Sequence, residues 1–367
     1  MELYPLFFQP VYIKKVWGGQ NLHKFYKREL PNNQIGESWE ISDHRRANSR
    51  VINGPLTGKN LSWICRNSGQ KLLGSIYQNG STTRFPLLFK LLTPSDKLSI
   101  QVHPDDKIAN LYQDDQGKVE MWYILAAKPG ARIIYGLKDD SLGPDEIITK
   151  AAKGELADIV NYRPVSAGEV IFLPPGTIHA LLDDVIVAEI HQNSDTTYRL
   201  YDWGRNRNRK LHLEKAGKAI SSASNRPFKV QPISWVDENT NYWTLLASCA
   251  HFTAYKLELF KSIFLSPRKR DSFMIIFTVF GRANIIYKEK EYVLSSGKTC
   301  LLPASLDRVE ITGNARLLIY TRGLKVHDLT QVHDLTKKAK ETSGKNNLTA
   351  TELSSLTDMA INKFIDL

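Results

Sequence analysis

The sequence predicts a mainly β protein built as two small β-barrels, with helical insertions mostly in its first half. Three observations lead there. Short runs rich in β-branched and aromatic residues recur along the chain, most of them bounded by Gly, Pro or Asp clusters. They lack the regular strand–helix alternation that a doubly wound parallel sheet requires. A glycine, five residues and a proline occur once in each half, as Gly168 to Pro174 and as Gly297 to Pro303. Each copy fits a turn, a strand and a proline where pairing stops. The 367 residues, 42% apolar and 24% charged, suffice for two domains that each bury a core.

In the first half, residues 85–92, 120–127, 131–136, 169–173 and 185–192 read as strands. Ser141 to Pro144 reads as a helix start, with Pro144 in the first turn. Ile147, Ile148, Ala151, Leu156 and Ile159 then supply its apolar stripe, and 104–112 reads as a shorter helix. In the second half, 252–260, 272–280, 282–287 and 317–321 read as strands. After Gly323 the composition changes. The hexad Val326 to Gln331 is nearly repeated in Val332 to Lys337, and 337–347 is polar. Thr349 and Glu352 can cap a terminal helix carrying Leu353, Leu356, Ala360 and Phe364. The expected domains are therefore 1–225, 226–323 and an extension, 324–367.

Several functional classes fall away. No apolar run approaches the roughly 18 residues of a spanning helix. Glu2, Pro5 and Pro10 do not suit an export signal. Cys65, Cys249 and Cys300 lie far apart and form no C-x-x-C, so the expectation is a cytoplasmic protein with reduced thiols. The net charge of +11 suits an anionic partner. Its two clusters, Arg205 to Lys210 and Lys337 to Lys340, lack the aromatic interleaving of a single-strand groove, so no nucleic acid is expected. There is no G-x-G-x-x-G, and Tyr292 stands where a phosphate loop ending in Gly297-Lys298-Thr299 needs its leading glycine.

One constellation carries chemistry. Residues two apart on a strand face the same side, so Gln101 and His103 can both point into a barrel. Glu120 opens the next strand, and His179 follows five residues after Pro174. An amide oxygen, two imidazoles and a carboxylate suit a borderline divalent cation such as Zn²⁺. Without a cysteine, an open catalytic site fits better than a closed structural one. Each residue alone is ordinary; the pattern raises the odds. Gly168-x5-Pro174-x-Gly176-x2-His179 resembles the second motif of the cupin (jelly-roll) barrels. The first cupin motif reads His-x-His and then a nearby Glu. Here Gln101 replaces the first His, and sixteen residues separate His103 from Glu120.

Those departures occur in one cupin branch, and the chain resembles the type I phosphomannose isomerases, especially the short bacterial class. The matching segments include Val16-Trp17-Gly18-Gly19, Gly36-Glu37-Ser38-Trp39, Arg84 to Leu88, Ser99 to Asp106, Lys118 to Tyr123, Gly176 to Ala180 and Gln192 to Asp202. The resemblance implies one Zn²⁺ per chain on Gln101, His103, Glu120 and His179. It also implies Ser99, Lys90 and Lys118 near a sugar phosphate, Arg199 at the reacting centre, and Glu189 and Asp195 as further site carboxylates. A lysine that some relatives carry six residues after the arginine is Arg205 here, which cannot readily act as a base. The implied reaction interconverts mannose 6-phosphate and fructose 6-phosphate through an enediol, with the base unassigned among Glu189, Asp195 and a metal-bound water. The competing reading is a sugar-phosphate-binding cupin without turnover, favoured only if Arg199 or a metal ligand were missing. The second barrel is expected to hold no metal. Arg308 occupies the position of His179, and Ser305 that of Gly176. An arginine cannot ligate a cation. The oligomeric state is left open.

Overall fold

A computed structural model describes residues 1–76, 84–112, 115–205, 209–221 and 230–323. The hexad repeat and the terminal helix expected in 324–367 lie outside the described residues. Those residues form a mainly β protein whose helices fall mostly before residue 225. They cluster into two compact units. One gathers the described residues of 1–11, 39–88 and 230–323, and the other those of 12–38 and 89–221. Compactness therefore follows the chain less simply than a single cut near residue 225.

The unit carrying 230–323 is built on one antiparallel sheet. Its order is Ile233–Val236, Tyr242–Ser248, Phe252–Leu259, Val309–Arg322, Met274–Tyr287, Thr299–Leu302, Leu6–Gln9 and Arg50–Val51. Leu257, Ile276, Ile285, Leu302, Ile311 and Leu317 form the middle of its apolar core. The strands expected at 272–280 and 282–287 are a single strand, Met274–Tyr287. Gly281, read as a break, instead follows a bulge between Thr278 and Phe280. Its φ is +81°, and a Cβ there would lie 2.2 Å from the carbonyl oxygen of Asn314. The glycine thus permits close approach of two long strands rather than ending one. A helix, Leu61–Leu73, was not anticipated. Asn60 caps it by accepting from the Trp63 amide, but Ser68 leaves helical geometry and interrupts the apolar stripe.

The predicted site residues lie on or beside two further sheets, most of whose residues fall in the unit carrying 89–221. The first runs Val160–Pro164, Arg132–Leu137, His179–Ala180, Ile100–Val102, Tyr198–Tyr201. The second runs Val170–Leu173, Glu120–Ala127, Val185–Gln192, Leu87–Leu92, Ile35–Ile41, Val11–Gly19. Trp122, Ile124, Ile171 and Val187 from the second pack with Ile133 and Tyr135 from the first, giving both sheets a common core. Helices Pro144–Lys153 and Leu213–Ala219 join a separate cluster, where Ile147, Ala151 and Ala216 meet Ile100, Val102 and Ile134. The apolar stripe from Ile147 to Ile159 is split. Gly154, in the left-handed region, ends Pro144–Lys153, and Leu156–Ile159 is a separate turn. No helix among the described residues is long and apolar enough to cross a membrane.

Candidate active site

Strand register assembles the site. In the first sheet Gln101 lies opposite His179 on one side and Arg199 on the other. Directly opposed residues share a face, so His179, Gln101 and Arg199 form one row. In the second sheet Glu120 lies opposite His191, and Trp122 opposite Glu189. Strand alternation puts all four on one face. His103 follows the end of Ile100–Val102 and lies beside Gly176, whose amide donates to the His103 carbonyl at 2.8 Å. A Cβ on Gly176 would sit 2.7 Å from the Cβ of Ser221 and 2.8 Å from the Ala219 carbonyl oxygen, so the turn leading to His179 needs glycine.

Sixteen residues separate His103, beside the first sheet, from Glu120 in the second, and the two ends of this excursion meet in a narrow neck. The Lys118 amide donates to the Pro104 carbonyl at 2.9 Å. Asp105 caps the short helix Asp106–Leu111 inside the excursion. The Gln192 amide clamps the base, accepting from the Val119 amide at 3.0 Å and donating to Asp106 at 3.1 Å.

His103, Glu120 and His179 are buried, and their ligand atoms lie within 4.8 Å of one another. The Nδ1 atoms of His103 and His179 meet the carbonyls of Thr196 and Thr177 at 2.8 and 2.9 Å. A carbonyl only accepts, so each Nδ1 carries the proton and each Nε2 turns a lone pair inward. Burial, and for His103 next the Lys118 ammonium, lowers both imidazole pKa values, which keeps them neutral. Burial alone would raise Glu120; Lys118, then His103 and His179, outweigh it and hold the carboxyl at about 2. Glu120 Oε1 is buried, accepts no hydrogen bond and lies 3.3 Å from His179 Nε2. An ionised carboxylate whose Oε1 faces His179 Nε2 and whose Oε2 lies 3.5 Å from His103 Nε2 makes, with the two imidazoles, a donor set that fits a divalent cation. Gln101 completes it by position. Its amide nitrogen stands 3.5 and 3.3 Å from the two Nε2 atoms, and ligation requires the amide to turn and present its oxygen.

From this centre a row of alternating charge crosses the second sheet. Lys118 Nζ lies 2.7 Å from Glu120 and 3.8 Å from Glu189. Lys90 Nζ lies 2.8 Å from Glu189 and 3.9 Å from Glu37, and Lys15 lies 2.7 Å from Glu37. All but Lys15 are buried. The Trp122 indole donates to Glu189 at 2.9 Å and fixes it. Asp195 is half-buried and acts electrostatically on Lys90. Buried Ser99 donates to the Gln101 oxygen at 3.4 Å. Arg199 is half-buried and donates through Nη1 to the Lys210 carbonyl at 2.8 Å, while its Nε, buried, makes no hydrogen bond. Arg205 is occupied by Asp96 at 2.7 Å and Asp202 at 3.2 Å. Glu37, Lys15, Trp122 and His191 were not anticipated as neighbours of the site. For His191 the signal was available: it stands two residues after Glu189 on a strand, its Nε2 now 3.7 Å from that carboxylate.

Fold and site together define the class: a mainly β protein with a buried imidazole–carboxylate centre beside a row of buried lysines. Residues 6–128 match the phosphomannose isomerase type I catalytic domain, and residues 242–321 match the mannose-6-phosphate isomerase cupin domain. A mannose-6-phosphate isomerase of Streptococcus mutans is 31% identical over 318 residues, 86% of this chain and 97% of that protein. The mannose-6-phosphate isomerase ManA of Bacillus subtilis is 33% identical over 324 residues, 87% of this chain and 99% of that protein. The crystal structure of the mannose 6-phosphate isomerase from Bacillus subtilis superposes with a TM-score of 0.78 at 30% identity, covering 86% of this chain and 99% of that one. The chain belongs to the type I phosphomannose isomerases and is an isomerase.

Proposed function

We propose that this enzyme interconverts mannose 6-phosphate and fructose 6-phosphate, with one Zn²⁺ per chain held by Gln101, His103, Glu120 and His179. The observation that carries the reading is the convergence of His103, Glu120 and His179 beside Lys118 in a chain of this family. When bound, the divalent cation supplies Lewis-acid stabilisation of negative charge on the sugar oxygens. Lys90 and Lys118 bind the anionic substrate and orient it, assisted by Ser99. Arg199 faces the developing enediolate with a permanent positive charge. Glu189 and Asp195 are the carboxylates of the site left for proton transfer between C1 and C2. The partner is a small sugar phosphate, and the location is cytoplasmic. The barrel of 226–323 is assigned no metal; Arg308 instead lays its guanidinium 4.4 Å from the centre of the Phe264 ring. The test is conversion of mannose 6-phosphate to fructose 6-phosphate, lost with a chelator and restored by Zn²⁺. Undiminished turnover in metal-free protein would refute the metal role, and no turnover with any divalent ion would refute the reaction.

Lys90 offers a sharper check. Burial, only partly opposed by Glu37, pulls its ammonium down to about 8. A lowered lysine pKa means the charge is present below pH 8 and lost as pH rises through it. KM for the sugar phosphate is therefore expected to climb about tenfold per unit above pH 8, one proton being required per binding event. Lys90→Ala is expected to raise KM at neutral pH by roughly ten- to a hundredfold, the worth of a hydrogen bond to a charged group. Lys90→Arg, which keeps its charge, should show no bend. A bend at the same pH in wild type and Lys90→Arg would show that another group titrates.

A further inference from the structure

In the unit carrying 230–323, a cleft of about 360 Å³ opens far in sequence from every residue assigned above. Strands Ile233–Val236 and Tyr242–Ser248 place Trp235 directly opposite Trp243. The two indoles are parallel to within 8°, their centroids 6.0 Å apart. Tyr255 stands almost perpendicular to both, at 87° and 86°, and forms a second wall. The turn joining the strands locks this corner. Asp237 accepts from the Asn239 and Asn241 amides at 2.9 Å each, from the Asn241 side chain at 3.0 Å, and from the Trp243 indole at 3.0 Å. Its carboxylate is thus engaged within the protein, and the polar edge of Trp243 is satisfied while both rings stay half-buried along the cleft. Glu238, Asn239 and Arg270, all exposed, also line it. The Arg270 guanidinium rests 5.8 Å from the Tyr255 ring.

We propose that this cleft is a second ligand site, for an uncharged saccharide. A pre-set aromatic corner with a few polar groups at its rim is the build of a small-molecule site, and the volume lies within the usual 300–1,000 Å³ range. Indole faces take the C–H face of a pyranose ring. Glu238 accepts from sugar hydroxyls, Arg270 donates to them, and Asn239 does both. Charge decides against the phosphorylated substrate: two carboxylates, Asp237 and Glu238, face one guanidinium, which opposes a phosphate dianion. The inference stands on this cleft alone and does not rest on the proposed reaction.

The test uses full-length protein titrated with methyl α-D-mannopyranoside, maltose and cellobiose, read by tryptophan fluorescence and calorimetry. Saturable binding of at least one, with Kd on the order of 1 mM, is expected. Trp235→Ala and the surface change Glu238→Ala should each weaken it tenfold or more while isomerase activity is unchanged, which also reports that both variants fold. His103→Ala should leave the binding intact. Three results overturn the proposal: no saturation by any probe up to about 50 mM; binding equally strong in Trp235→Ala and Glu238→Ala; or glucose 6-phosphate bound as tightly at the Trp235-dependent site.

Discussion

Replacing His103 or His179 by alanine is expected to remove the bound metal and lower turnover by a thousandfold or more, about 4 kcal/mol of transition-state stabilisation. Both side chains are buried in or beside short strand segments, and each ring is tied to the backbone by one hydrogen bond, to Thr196 or Thr177, while its Nε2 meets Gln101 and, for His103, also Lys118. Losing that bond costs roughly 1 kcal/mol, so the protein should remain folded with a thermal midpoint lower by a few degrees. Metal content, kcat and unfolding measured on one preparation separate the effects. Full activity in a metal-free His103→Ala protein would end the metal reading, and global unfolding would make the histidines structural.

Arg199→Ala is expected to lower kcat by a hundred- to a thousandfold, roughly 3–4 kcal/mol, with a much smaller rise in KM. The reason lies in where the cation stands. Arg199 is paired in register with Gln101, so its side chain shares the face of the candidate ligands, and its buried Nε makes no hydrogen bond to the protein. A donor held without a protein partner is suited to charge that appears only during reaction. Burial, then Arg209, lowers the Arg199 pKa, yet it stays charged at neutral pH. Steady-state kinetics beside Lys90→Ala distinguish the roles. If Arg199→Ala mainly raised KM and Lys90→Ala mainly lowered kcat, the two assignments would be exchanged.

The candidate metal residues were legible because their signals are local. Gln101 sits on a strand with His103 just past its end, and His179 hangs from a proline–glycine turn whose geometry only glycine satisfies. Strands 120–127 and 185–192 were readable to the residue, since they are buried throughout except at Ala127 and most of their bounds are turn residues. The misreadings share a cause. Gly281 looked like punctuation, and only the neighbouring strand reveals that it serves close approach. Nothing in the local sequence marked Glu37 or Lys15 as a neighbour of the site. They reach the charge row because Ile35–Ile41 and Val11–Gly19 lie beside Leu87–Leu92 in a sheet whose order no local pattern encodes.

The neck at Pro104 and Lys118 has a consequence for how such a chain can vary. Backbone pairing at the base fixes where the excursion leaves and where it re-enters, so the spacing of His103 and Glu120 in space is independent of their spacing in sequence. Lengthening the excursion carries only the entropy of closing a longer loop, about 0.6 kcal/mol for each doubling. Residues added there would leave both side chains where they are. One residue added within Ile100–Val102 or Glu120–Ala127 would instead turn Gln101 or Glu120 to the opposite side of its sheet. Length is therefore cheap in the span that separates these two residues and prohibitive within the few residues that carry them.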